Sequence, residues 1–259
     1  MNVRALVAEA VGTFILLTFG FLGVATLSVI ASASGGSSPV VALIVIPFSF
    51  GLGLMAAIAV GGHASGAHYN PAVTLAALFD GRVTWQNAIG YVVAQLVGGF
   101  AATLGILLTT TEVVVKNAVN APGPTADSAF GTELHAFSTE AVLTAIFVCV
   151  ILTVTKKQPD NAVLVIPFTL VAIHYAGMLI SGASVNPVRS LAPAVVSGTY
   201  DSLWVYLTGP FVGSVLGWGI YKFLTPDDNE ISVEIEEELE DDELEDELED
   251  LLDADDDRE

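Results

Sequence analysis

Long apolar runs separated by short polar breaks set the pattern of this chain. Six stretches, roughly residues 5–30, 40–61, 85–110, 136–155, 162–180 and 202–224, carry almost no charge. Each is close to the ~20 apolar residues that a helix needs to cross a hydrocarbon layer ~30 Å thick. Gly35-Gly36-Ser37-Ser38-Pro39, Gly81-Arg82, the polar stretch Thr109–Thr132, Lys156–Asn161 and Gly198–Asp201 break the runs. These are the turn-forming and charged residues expected between spans. The pattern predicts an all-α membrane protein with six transmembrane helices. The first run resembles a secretory signal, with Arg4 ahead of it and Ala31-Ser32-Ala33 like a cleavage site. It is too long for a signal core, it contains Glu9, and it has a counterpart later in the chain.

That counterpart belongs to an internal repeat. "AEAVGTF" (8–14) recurs loosely as "TEAVLTA" (139–145), and "VIPFSF" (45–50) as "VIPFTL" (165–170). "SGAHYNPAV" (65–73) recurs as "SGASVNPVR" (181–189). The three features keep their order, so residues 4–110 and 134–224 are two copies of one unit. Each copy has three spans, an odd number, so the second copy lies upside down relative to the first. Inverted repeats of this kind build transporters and channels.

The third repeated feature carries the chemistry. Asn70 is a good helix N-cap, Pro71 suits the first helical position, and Gly81 suits the end. Asn186-Pro187 opens a second such segment that closes near Ser197-Gly198. About ten helical residues measure ~15 Å at ~1.5 Å per residue, half of the hydrocarbon core. Each segment is therefore expected to be a re-entrant half-helix. With the repeats inverted, one enters from each face and the two N-termini meet near the midplane. Irregular backbone at that depth is tolerated only inside protein or beside water. Helix N-termini carry partial positive charge, so the meeting point is expected to repel cations. An asparagine that caps with its oxygen still has an NH₂ donor to offer. Arg189 lies three residues past Asn186, on the same helical face. Arginine at membrane depth is costly and usually functional.

Charge changes the picture at one end only. The net charge is −21, yet the residues up to Pro226 hold seven Lys and Arg against eight acids, leaving twenty-one acids in residues 227–259. The body, 1–226, is apolar and nearly neutral, and even with the acidic tail the whole chain has a mean hydropathy of +0.67. Like-charge blocks repel and stay extended, so 227–259 is expected to be a disordered cytoplasmic tail, its partner unspecified. Arg4, Arg82, Lys156, Lys157 and Lys222 fall on one side if the spans alternate, with Lys116 alone on the other. The positive-inside rule then puts both termini in the cytoplasm of a multi-pass cell-membrane protein. There is no basic patch for nucleic acid. The single cysteine, Cys149, allows neither a disulfide framework nor a zinc site. No nucleophile–base pair or metal-ligand cluster stands in the apolar body, so neither an enzyme nor a cofactor is expected.

"SGAHYNPAVT" (65–74) closely resembles the first pore loop of the aquaporins, the major intrinsic protein family, and "VNPVRSLAPA" (185–194) resembles the second. Val188 stands there where that family usually has alanine. "YVVAQLVGG" (91–99) and "GPFVG" (209–213) also resemble family segments, and the resemblance covers about residues 4–224. It implies six spanning and two half-spanning helices, a homotetramer with one pore per subunit, and water as the permeant. It implies that Asn70-Pro71-Ala72 and Asn186-Pro187-Val188 are the pore motifs. It implies that Phe50, His174, Ala183 and Arg189 ring the narrow point, and that Glu9 and Glu140 accept hydrogen bonds from the pore loops. Glycerol-conducting relatives usually carry a small residue at position 174 and an aspartate after the arginine, where this chain has His174 and Ser190. Both departures favour water. The alternatives are a facilitator of glycerol or other small neutral solutes and, because inverted repeats also occur there, a secondary transporter. His63, His68 and His135 are weaker signals, with His68 beside the first loop.

Overall fold

The protein is represented by a computed structural model that describes residues 2–34, 36, 39–123 and 132–226. All regular elements among the described residues are helical: α1 (Val3–Ser34), α2 (Pro39–Ser65), α3 (Pro71–Phe79), α4 (Trp85–Thr109), α5 (Glu112–Asn117), α6 (Thr132–Lys157), α7 (Ala162–Gly177), α8 (Pro187–Ser197) and α9 (Leu203–Leu224). A single 3₁₀ turn, Pro159–Asn161, precedes α7. Six of these are long and apolar enough to cross a membrane, at the positions the hydropathy pattern marks. The chain divides into a helical body, 1–221, and a segment from Lys222 onward. The expected acidic tail, 227–259, lies outside the described residues.

The two copies are built alike. α1, α2 and α4 with half-helix α3 form the first, and α6, α7 and α9 with half-helix α8 form the second. In each, the first and third spans approach closely enough that only glycine fits. A methyl group built at Gly98 would lie 2.1 Å from the carbonyl oxygen of Ala10, and one at Gly213 would lie 2.2 Å from that of Ala141. Ala10 and Ala141 are repeat mates, as are Gly98 and Gly213. Lipid gives helices no hydrophobic reason to associate, so small residues that allow backbone-to-backbone packing take over that role.

Two details depart from the sequence pattern. The fifth span ends at Gly177 rather than near 180, although Met178, Leu179 and Ile180 are apolar. The chain turns there on bonds from Ser181 N to Gly177 O and Gly182 N to Met178 O, both within 3.1 Å. It must leave the helix to enter the second re-entrant loop. The polar break between the third and fourth spans contains α5, which the pattern does not mark. Its Val114 and Val115 are buried in the core, and a Lys116–Glu112 pair at 2.8 Å closes its outer face.

Candidate functional site

Both Asn-Pro segments form the expected half-helices, of 9 and 11 residues. Asn70 Oδ1 accepts a bond from Ala72 N at 2.9 Å. Asn186 Oδ1 accepts from Val188 N at 3.1 Å and Arg189 N at 3.4 Å. The loops leading into them share one unusual backbone. Gly66 and Gly182 both have φ of 86°, Ala67 and Ala183 of 58° and 48°, and Tyr69 and Val185 of 50° and 46°. Left-handed φ is strained for non-glycine residues, most of all for β-branched valine, and persists only when its surroundings enforce it.

Two buried carboxylates do the enforcing. Glu9 accepts bonds from Ser65 Oγ (2.6 Å), His68 N (3.0 Å), Tyr69 N (2.7 Å) and Gln95 Nε2 (2.7 Å). Glu140 accepts from Ser181 Oγ (2.7 Å), Ser184 N (2.8 Å) and Val185 N (2.7 Å). Hydrogen bonds to a charged acceptor contribute about 1.5–3 kcal/mol each, enough to hold the strained residues. Neither acid lines the central cavity.

The loops also clasp each other. Asn70 Nδ2 donates to Val185 O at 2.7 Å, and Asn186 Nδ2 donates to Tyr69 O at 3.0 Å. The two half-helix N-termini therefore meet, as the inverted repeat predicts. The clasp itself is an addition, since it occupies one N–H of each amide. The second N–H of each remains, and both asparagines line the cavity.

Further along the same cavity stand Phe50, His174 and Arg189. His174 stacks on Phe50 with centroids 4.8 Å apart. The Arg189 guanidinium lies over Phe50 at 5.0 Å and over Phe21 at 5.9 Å. His174 Nδ1 faces the carbonyl of Leu170 at 2.9 Å. A carbonyl only accepts, so Nδ1 carries the proton, and in the neutral ring Nε2 is left as an acceptor. His174 Nε2 and Arg189 Nε are both buried without a protein partner. An acceptor and a donor thus belong to two residues that line one cavity beside an aromatic wall.

The remaining expected residues lie behind this surface. Ala183 is fully buried and is not among the cavity-lining residues, and its methyl lies near Gly177. Pro71, Ala72, Pro187 and Val188 are buried in the half-helices. Val188 packs toward Gly99, where an added methyl would meet Val188 Cγ1 at 2.4 Å. At the matching place in the other copy, Ser214 Oγ donates to Ala72 O at 2.6 Å. The larger residue in the second motif is accommodated by the smaller residue opposite. His68 does line the cavity, with Nδ1 3.1 Å from Thr74 Oγ1. Cys149 packs with Trp218 against a separate cluster containing Leu152 and Tyr221, away from it.

Several participants were not anticipated. Arg189 Nη1 donates to Ala118 O at 2.8 Å and to Asn120 Oδ1. Asn120 Oδ1 also accepts from Ser190 Oγ at 2.8 Å, and its Nδ2 donates to Gly182 O at 3.2 Å. Among the described residues no carboxylate reaches Arg189, so neutral oxygens hold the guanidinium. Gln95 ties Glu9 to Thr74. Gln95 falls in a segment that carries the family resemblance, but nothing local marks Asn120.

The family model for major intrinsic proteins matches residues 1–221. Aquaporin-2 of Rattus norvegicus is 35% identical over 226 residues, covering 85% of this chain and 78% of its own. A glycerol uptake facilitator protein-like 6 of Lactiplantibacillus plantarum is 36% identical over 224 residues, covering 82% and 94%. The X-ray structure of the aquaglyceroporin from Plasmodium falciparum superposes with a TM-score of 0.72 at 26% identity, covering 85% of this chain and 95% of that one.

Proposed function

The chain belongs to the major intrinsic protein family, and on that footing we propose that it is a passive, water-selective channel that excludes protons and ions. The family is one of membrane channels for small solutes, and the six membrane-length helices make this a multi-pass membrane protein. The observation that carries the choice of water is that His174 Nε2 and Arg189 Nε, on two cavity-lining residues, are both buried and without a protein partner. Water supplies both a donor for the histidine and an acceptor for the arginine. A polyol needs a wider and more apolar wall than one crossed by an imidazole and a guanidinium.

Phe50, His174 and Arg189 form the narrow ring in this reading, with Ala183 behind it. Asn70 and Asn186 present their second N–H groups to the oxygen of a passing water and break the uniform hydrogen-bonded chain that protons need. Two helix N-termini, each worth roughly half a positive charge, and the Arg189 charge add a barrier to cations. Glu9 and Glu140 support the loops and take no part in transport. No catalytic step or cofactor is involved. Residues 1–226 form the channel and 227–259 an acidic tail. The assembly is a homotetramer in the cell membrane with both termini cytoplasmic. A glycerol-conducting reading is favoured by the likeness to a glycerol uptake facilitator protein-like 6 and to an aquaglyceroporin. Light scattering from reconstituted vesicles separates the two by comparing shrinkage in an impermeant osmolyte with re-swelling in glycerol.

A further inference from the structure

The wall of the ring is itself seated on α1, and the seat is a glycine. A methyl built at Gly20 would lie 2.2 Å from Phe50 Cε1, 2.4 Å from Cδ1 and 2.5 Å from Cζ. Real Cβ atoms do not approach so closely, so Phe50 occupies the place where any other residue would put its side chain. Gly12 and Gly23 on the same helix sit under Tyr69 and Ser49 in a similar way, but neither of those lines the cavity. Of the three α1 glycines, Gly20 alone would bring a methyl within 3 Å of a cavity-lining side chain.

The repeat supplies a second, independent observation. The mate of Gly20 is Ile151 and the mate of Phe50 is Leu170, and both mates line the same cavity. One copy pairs the smallest residue with a large ring, and the other pairs two branched side chains of middle size. Glycine inside a helix is destabilising by roughly 0.5–1 kcal/mol relative to alanine, so its presence in α1 reflects the close approach of Phe50.

We propose that Gly20 is a positioning residue for selectivity. It lets Phe50 withdraw against α1 and so sets the opening between Phe50, His174 and Arg189. Phe50 is bounded on the α1 side by Gly20 and by Phe21, whose ring it meets edge-on at 6.2 Å. On the other side lie His174, Arg189 and the cavity. Added bulk at position 20 drives the ring into the opening. The inference rests on the reading of Phe50 as part of the narrow ring.

The test compares Gly20→Ala, Phe50→Leu and the double variant Gly20→Ala/Phe50→Leu in reconstituted vesicles. Flux is normalised to folded channel measured by circular dichroism and size exclusion. Gly20→Ala should fold normally and lose on the order of tenfold in water permeability, a barrier increase of ~1.4 kcal/mol. The double variant, which moves this copy toward the Ile151/Leu170 pairing of the other, should recover most of that loss. A folded Gly20→Ala channel with unchanged water flux overturns the inference, as does a loss that Phe50→Leu fails to relieve, or a rise in glycerol flux in Gly20→Ala. Phe50→Leu alone should raise glycerol relative to water. If it leaves that ratio unchanged, the ring reading fails, and that outcome is distinct from a silent Gly20→Ala in a channel where Phe50→Leu does act. If Gly20→Ala does not fold while the double variant does, the contact with Phe50 stands; if neither folds, position 20 serves packing alone and the inference falls.

Discussion

His174 lies nearly parallel to Phe50, with planes 17° apart and centroids separated by 4.8 Å. The stack fixes the imidazole at the cavity wall, and the Leu170 carbonyl fixes which nitrogen is left as the acceptor. His174→Gly removes both the bulk and the acceptor. Glycerol flux is expected to rise while water flux persists, measured as re-swelling and shrinkage of the same vesicles. An unchanged ratio would mean that His174 does not bound the narrow point.

Arg189 is held by the Ala118 carbonyl and by Asn120, so its charge stays fixed beside Phe50. Arg189→Val should let some protons or cations leak, read with a pH-sensitive dye trapped in vesicles under a potential. The leak should be partial, because the two facing half-helices remain. Asn120→Ala keeps the charge but loosens its seat, and a smaller change in solute ratio is expected. Tight proton exclusion in a folded Arg189→Val channel would assign the whole barrier to the Asn-Pro junction.

How much of this was legible in the sequence follows from the range of each signal. The spans rest on long apolar runs, and the half-helices and the inversion on repeated motifs a few residues long, and each is readable. The caps at Asn70 and Asn186 are local as well. Asn120 was not readable, because it acts on Arg189 across 69 positions and belongs to neither repeat. Nothing local marks Gly20, because the ring it makes room for lies 30 positions away in the chain. The amide clasp required knowing that the loops touch, which the inversion implies without giving its chemistry. Helix α5 escaped because six residues are too few for a periodic signal.

Glu140 receives two backbone N–H groups and the Ser181 hydroxyl. Glu140→Gln leaves one acceptor and turns an NH₂ toward donors. A buried donor left unsatisfied costs about 1–3 kcal/mol, and the strained φ of Ala183 and Val185 loses its restraint. A clear fall in thermal midpoint, or failure to assemble, is expected with little change in solute ratio among the channels that survive. A mutant as stable as wild type would contradict the supporting role.

Val188 and Gly99 form a complementary pair, so their substitutions should not be additive. Val188→Ala leaves a cavity costing about 1–2 kcal/mol, and Gly99→Ala clashes with Val188 Cγ1. The double variant should be more stable than Gly99→Ala alone, as read by thermal unfolding in detergent. Neither single change should alter the water-to-glycerol ratio, because Val188 lies behind the cavity surface. A shifted ratio would bring Val188 into the path.

The central claim is that one ring of Phe50, His174 and Arg189 passes water and holds back glycerol. The most direct measurement uses purified wild-type protein in vesicles, with protein-free vesicles as reference. Stopped-flow light scattering records shrinkage in an impermeant osmolyte and then re-swelling in glycerol from the same preparation. The expected result is water permeability far above the protein-free rate, with glycerol entry close to it. Glycerol permeability comparable to that of water would contradict the account.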